Sequence, residues 1–211
     1  MTGQEIITKF NNMVQDSIDA DFALQLANDA KTLIEEEATW EVLKKEQTFT
    51  IVGGSDETTA YTLPSDFGEQ VCLTDKNEYL IDLIAFQDRY SRKHCYKRYY
   101  IDYADQKFYI SGTNQTGEDI TLVYKKVSDD IELTTSWVFP SRFHSLIPYK
   151  MAMEYYAADA GEKQRAWDDR WAGYYQSLLS SAKNWNAKLQ MQGRSTRQYR
   201  KQKLANGVYD Y

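Results

Sequence analysis

Cysteine and histidine are scarce in this 211-residue chain, long apolar runs are missing, and negative charge outweighs positive. Each scarcity removes a class of protein. Two cysteines, Cys72 and Cys95, are too few for a disulfide framework, and a reducing cytoplasm is the expected setting. No run approaches the roughly 18 apolar residues that a spanning helix needs. Met1 to Phe10 has no apolar core of signal-peptide type, so neither a membrane nor a secretory leader is expected. Lys and Arg number 25 against 31 Asp and Glu, for a formal net charge of −6. That balance argues against general affinity for nucleic acid or anionic membrane.

Apolar residues make up 42% of the chain and charged residues 27%, ordinary usage for a globular protein that buries a core without disulfides or metals. The aromatic content is 14%, with 17 tyrosines. Tyrosine pairs a large apolar body with a polar tip and suits both a surface covered by a partner and the face of a sheet. The charge is unevenly spread. Residues 194–211 carry Arg194, Arg197, Arg200, Lys201 and Lys203 against Asp210 alone, a net of +4, which leaves −10 on the rest. An acidic body with a basic tail suggests docking onto something acidic, including another copy of the chain.

Hydrophobic spacing organises the remainder. Ile6, Phe10 and Met13 predict a helix over 3–15. Asp19 or Asp21 is placed to cap a second, from Asp21 to Glu46, about 39 Å long. Its core stripe is Phe22, Leu26, Ala30, Leu33 and Trp40, flanked by Ala23, Ala27, Ile34 and Ala38. The period then switches to two. Strands are predicted at 48–52, 59–63, 69–74, 79–86, 97–103, 107–111 and 119–127, with Gly53-Gly54 and Ser111–Gly117 as turns, giving an antiparallel meander. Helix returns at Phe143 to about Asp159, with a break expected near Ile147 because of Pro148. The most regular stripe follows: Trp167, Trp171, Tyr174, Leu178, Ala182, Trp185 and Leu189, a helix of about 42 Å from Glu162 to Leu189. The simplest packing sets the two long helices side by side. Beyond Gly193 the periodicity stops, and an extended or disordered arm is expected.

No catalytic constellation emerges. His94 adjoins Cys95 and His144 adjoins Phe143, and both read as satisfied or solvated histidines rather than as ligands or bases. Gly53-Gly54-Ser55 lacks the lysine and hydroxyl of a phosphate cradle. Asp102 and Asp105 lack the rest of a calcium loop and read as a tight turn. Glu35-Glu36-Glu37 and Asp168-Asp169 fan out round a helix and read as solvated faces. Trp167 and Trp171, one turn apart, read as core or helix–helix contacts rather than as a sugar platform. Neither a catalytic set, a cofactor nor a metal is expected. The tail alternates cations with aromatics: Arg194, Arg197, Tyr199, Arg200, Lys201, Lys203, Tyr209 and Tyr211. Such a pattern suits an arm that folds onto a protein partner, or single-stranded nucleic acid.

In order, Trp40-Glu41-Val42-Leu43, strand Thr48–Val52, Tyr61-Thr62-Leu63-Pro64-Ser65-Asp66-Phe67, Leu122-Val123-Tyr124-Lys125-Lys126 and Phe139-Pro140-Ser141-Arg142-Phe143-His144 precede a tyrosine-rich helix pair. Together, over roughly 20–190, they resemble the head–tail adaptor, or connector, proteins of tailed bacteriophages. The resemblance implies an α+β fold: a long-helix bundle with an inserted antiparallel β-meander and an extended C-terminal arm. One domain would cover 1–193, with helices about 3–46 and 141–191 and a β-rich insertion about 47–127, followed by the basic arm 194–211. It further implies a structural virion protein and no enzyme. Copies would form a ring, commonly dodecameric, beneath the portal, extending the DNA channel and docking a downstream neck or tail protein. The arm would reach the portal or a neighbouring subunit. The competing readings are another tail or baseplate subunit, a small hydrolase, and a nucleic-acid-binding module acting through the tail.

Overall fold

The computed structural model describes residues 1–52, 59–88, 97–111, 116–158 and 162–206. The chain divides into two compact units, Met1–Val42 with Asp129–Tyr211, and Leu43–Ser128.

The first unit is helical: α1 (Gly3–Val14), α2 (Ala20–Glu36), α3 (Leu146–Ala158) and α4 (Glu162–Asn206). A capping box opens α1. The Thr2 hydroxyl accepts the Glu5 N–H while the Glu5 carboxylate accepts the Thr2 N–H at 3.0 Å, so two otherwise open donors are satisfied. Its apolar face, Ile6, Ile7, Phe10, Met13 and Val14, is buried as the spacing predicts. Asp19 caps α2, accepting the N–H groups of Asp21 and Phe22 at 3.1 Å each.

The second helix ends ten residues before the expected Glu46. Trp40 folds back beneath its end, fully buried, and the indole Nε1 donates to the Ile34 carbonyl at 3.0 Å. That carbonyl lies in the last turn, where it also accepts the Glu37 N–H at 3.2 Å, so the indole adds a second donor at the helix end. The buried face is also not the expected one. Ala23, Ala27, Ala30 and Ile34 point into the core, whereas Phe22 and Leu33 are 52% and 42% exposed.

A third face of α2 holds the chain as it returns from the second unit. The Asn28 carboxamide takes both backbone groups of Ile131, accepting its N–H at 2.8 Å and donating to its carbonyl at 3.1 Å. Lys31 Nζ reaches the Asp129 carbonyl at 2.9 Å and the Asp130 carboxylate at 3.1 Å. Glu35 accepts the Trp137 indole N–H at 2.8 Å. Lys31 and Glu35 are buried, so the reading of 35–37 as a solvated run holds only for the exposed Glu36 and Glu37. Trp137 stacks on Phe139 at 3.9 Å, and Trp40 meets Phe139 edge-on at 5.0 Å. The N-terminus of α1 adds backbone bonds from Gly3 to Thr135 and from Gln4 to Leu133. A β-carbon on Gly3 would lie 2.3 Å from the Glu132 carbonyl oxygen, so this approach requires glycine.

A short 3-10 turn, Ser141–Phe143, leads to α3. Pro148 sits in the first turn of α3, where its missing N–H costs nothing. The interruption therefore falls at His144-Ser145, ahead of the expected Ile147. The expected pairing of the two long helices is replaced by packing of both α2 and α4 on α3. The inward face of α4 is Tyr175, Leu179, Ala182 and Asn186, one position on from the expected Tyr174, Leu178 and Trp185. Asn186 explains the rotation. Its carboxamide accepts the Glu41 N–H at 2.7 Å and donates to the Thr39 carbonyl at 3.0 Å, and Gln190 donates to the same carbonyl at 3.1 Å.

Helix α4 runs 45 residues, about 67 Å. This overturns the extended arm for residues 194–206; residues 207–211 lie outside the described residues. No glycine or proline occurs from Arg194 to Asn206, and Arg, Gln, Lys, Leu and Ala there all favour helix.

The second unit holds β1 (Lys44–Thr50), β2 (Thr59–Thr62), β3 (Phe67–Asp75), β4 (Leu80–Leu83), β5 (Arg98–Asp102), β6 (Lys107–Ser111) and β7 (Asp119–Lys126). They form one sheet in the order β1-β7-β3-β4-β5-β6-β2. The β4–β5 pair is parallel and the others antiparallel. The small meander inserted in a long-helix bundle is thereby corrected to a mixed seven-stranded sheet, curled into a nearly closed barrel. Strand β6 pairs with β5 and β2, and β7 with β1 and β3, so the segment between them is no hairpin. Alternation identified the strands but carries no information about their partners. Two bulges in β3 bend it, one at Gly68, where an added β-carbon would lie 3.0 Å from the Lys125 carbonyl oxygen. Ile120, Leu122 and Tyr124 point inward against Leu73, Tyr99, Ile101, Phe108 and Ile110. The edge strands approach across this core, where Phe49 meets Tyr61 and Phe108 edge-on at 5.7 and 5.0 Å.

Two carboxylates join the strands. Asp66, in the Leu-Pro-Ser-Asp-Phe turn, accepts the hydroxyl of buried Tyr124 at 2.7 Å and pairs with Lys45 at 2.8 Å. Glu118 pairs with Lys97 and with Lys76, the latter at 3.1 Å. The lysine hydrogen bonds hold both carboxyl groups below their ordinary pKa. Groups of depressed pKa stabilise the fold above the ordinary carboxylate range, and the stabilisation is lost as pH falls through it. Melting temperature should therefore drop below about pH 4.5. In an Asp66→Asn/Glu118→Gln protein the curve should start lower at pH 7 and converge on wild type in acid. A constant gap across the pH series would contradict the assignment. In the helical unit, Trp137→Phe should cost about 1–3 kcal/mol in denaturant unfolding. Adding Glu35→Gln should cost clearly less than it does in the wild-type background, since the two groups act as a pair.

Candidate assembly surface

Among the described residues, the groups able to carry chemistry are dispersed or engaged. His144 is buried, and its Nε2 faces the Phe139 carbonyl at 2.6 Å, which makes that nitrogen the donor. Burial holds the imidazole below its usual pKa. His94, Cys95 and Gly53-Gly54-Ser55 lie outside the described residues. Asp102 closes the β5–β6 turn by accepting the N–H groups of Ala104 and Asp105 at 3.1 and 3.3 Å. No group of three His, Cys, Asp or Glu side chains suited to a metal occurs among the described residues. Trp171 stacks on Tyr149 of α3 at 5.8 Å, a helix–helix contact; the side chain of Trp167 lies outside the described residues.

What the helical unit does present is a groove of about 450 Å³ between the 3-10 turn and α4. Phe143 and Trp185 form its aromatic wall, with ring centroids 5.4 Å apart. The Arg142 guanidinium lies over both rings, 4.7 Å from Phe143 and 5.7 Å from Trp185. Lys188, three residues after Trp185 on α4, brings a second cation, and Leu178 adds apolar surface. No carboxylate lines the groove, and no ion-pair partner of Arg142 or Lys188 occurs among the described residues. Ser181 donates to the Ser177 carbonyl at 3.2 Å, so its hydroxyl is engaged within the helix. A guanidinium over aromatic rings, with no ion-pair partner among the described residues, can meet a carboxylate two-pronged, with apolar contact beside it. The arrangement suits recognition of another macromolecule; it lacks the base and nucleophile that bond-breaking needs.

The residues expected to meet a partner fall elsewhere. Arg194, Arg197, Tyr199, Arg200, Lys201 and Lys203 stand on the last four turns of α4, on helical backbone. Tyr209 and Tyr211 lie outside the described residues. Sequence reasoning missed Arg142, Phe143, Trp185 and Lys188. Arg142 and Phe143 stand in the Phe-Pro-Ser-Arg-Phe-His run and Trp185 in the most regular stripe of the chain. Only the rotation of α4 about its axis leaves Trp185 half-exposed beside Arg142.

A helical unit with a cation-lined aromatic groove, a barrel-like β unit and a long basic C-terminal helix are the features the chain presents to its surroundings. A family model described as SU10 adaptor protein matches residues 1–200, and the chain belongs to that family of phage head–tail adaptors. No curated protein matches the chain.

Proposed function

We propose that copies of this chain close into a dodecameric ring beneath the portal, extend the DNA channel and offer a docking face to the next neck or tail protein. The observation that carries this reading is the family match over residues 1–200, which spans both units and enters the basic segment of α4. Membership marks the chain as a structural phage protein acting at the head–tail junction. Charge supports the finer reading. An acidic body repels DNA phosphates, so a duplex passes without sticking. No helix among the described residues is long and apolar enough to cross a membrane.

The segment 194–211 is the portal-binding element in this reading, through Arg194, Arg197, Tyr199, Arg200, Lys201, Lys203, Tyr209 and Tyr211. Its helical backbone to Asn206 favours docking as a preformed rod, which lowers the ordering cost of association. Deleting residues 194–211 should abolish binding to purified portal in a pull-down while leaving the circular dichroism melt of the remainder unchanged. Portal binding that survives the deletion would remove the arm from this role.

A further inference from the structure

Resting on the ring just described, we propose that neighbouring copies meet by seating the outward face of α2 of one copy in the Arg142–Lys188 groove of the next.

The outward face of α2 is the part of that helix used neither by the core nor by the returning chain. Phe22, Asp29, Leu33 and Glu36 share it, because spacings of seven, four and three residues keep one side of a helix in line. Phe22 and Leu33 are large apolar side chains left in water. Asp29 and Glu36 are exposed, and no ion-pair partner of either occurs among the described residues. The face is therefore two apolar anchors interleaved with two free carboxylates, over about 21 Å of helix.

The groove is its complement in both respects. It offers the apolar surface of Leu178 and Trp185 and the unpaired cations Arg142 and Lys188. From Leu178 to Lys188 its α4 wall runs about 15 Å, a comparable length. An acidic face rules out DNA as its occupant, and the groove lacks the carboxylate that would repel an acidic helix. The two patches are different surfaces of the same unit, on helices that share α3 as neighbour. A contact between unlike patches is head-to-tail, and head-to-tail contacts close into rings when the rotation permits.

The test exchanges charge. Asp29→Lys/Glu36→Lys makes the α2 face basic, and Arg142→Glu/Lys188→Glu makes the groove acidic; all four side chains lie at the surface, and melting curves check the fold. By sedimentation velocity across a concentration series, each variant alone should self-associate about tenfold more weakly than wild type, or worse. An equimolar mixture should regain wild-type assembly, because the basic helix of one variant fits the acidic groove of the other. Negative-stain images of the mixture should then show closed rings. Wild type that assembles while both variants assemble equally well, or a mixture that fails to recover, overturns the interface and leaves the ring standing. Wild type that stays monomeric at every concentration overturns the interface, whereas the ring itself falls only if the complex with purified portal shows no ring of copies.

Discussion

The helical unit depends on one crossing, in which residues 129–139 are laid over α2 and tied down there. Asn28, Lys31 and Glu35 supply the polar face, while Trp40, Trp137 and Phe139 close the apolar side. Burying a lysine and a glutamate costs several kcal/mol each unless both are paired. The buried side chains Lys31 and Glu35 accordingly have named partners, Lys31 at the Asp129 carbonyl and the Asp130 carboxylate and Glu35 at the Trp137 indole. Aromatic burial is the larger stabilising effect, since a buried Trp cut back to Ala typically loses about 3–5 kcal/mol against about 1 for an ordinary hydrogen bond. The hydrogen bonds decide which residue meets which, and the rings supply most of the stability.

That crossing also fixes what the unit shows to its surroundings. A helix has only so much circumference. On α2 the alanine face takes the neighbouring helices and the polar face takes the returning chain, so the stripe of Phe22 and Leu33 is left in water. On α4 the clasp of Asn186 around Thr39 and Glu41 turns that polar residue inward and Trp185 toward the surface. Exposed apolar groups on both helices are a consequence of polar residues claiming interior positions. In the proposed ring such surfaces are where neighbouring copies would meet.

The β unit obeys a different constraint. Its core takes every second residue of β5, β6 and β7, with Tyr100 and Val123 between them buried as well, and its bends come from bulges in β3. Asp66 ties the turn after β2 to the buried Tyr124 hydroxyl and to Lys45 of β1. The Leu-Pro-Ser-Asp-Phe run that carried the family resemblance is therefore a structural clasp. The carboxylate serves the sheet and leaves no chemistry to spare.

Much of this was legible in the residues themselves. Local rules placed α1, a cap for α2 at Asp19 or Asp21, six of the seven strands to within a few residues, and the entry to α3, because each depends on neighbours three or four positions away. The family was legible too, through short runs that mark turns and helix starts. Reading failed wherever the outcome turned on contacts distant in sequence. The end of α2 was set by Trp40 folding back on Ile34, and the burial of Glu35 by Trp137. The partners of β6 and β7 were set by a barrel that alternation cannot encode. The candidate assembly groove joins residue 142 to residue 188. Periodicity states that a helix has an apolar side; which side is covered is decided by what else competes for the interior, and that competition exists only in the folded chain.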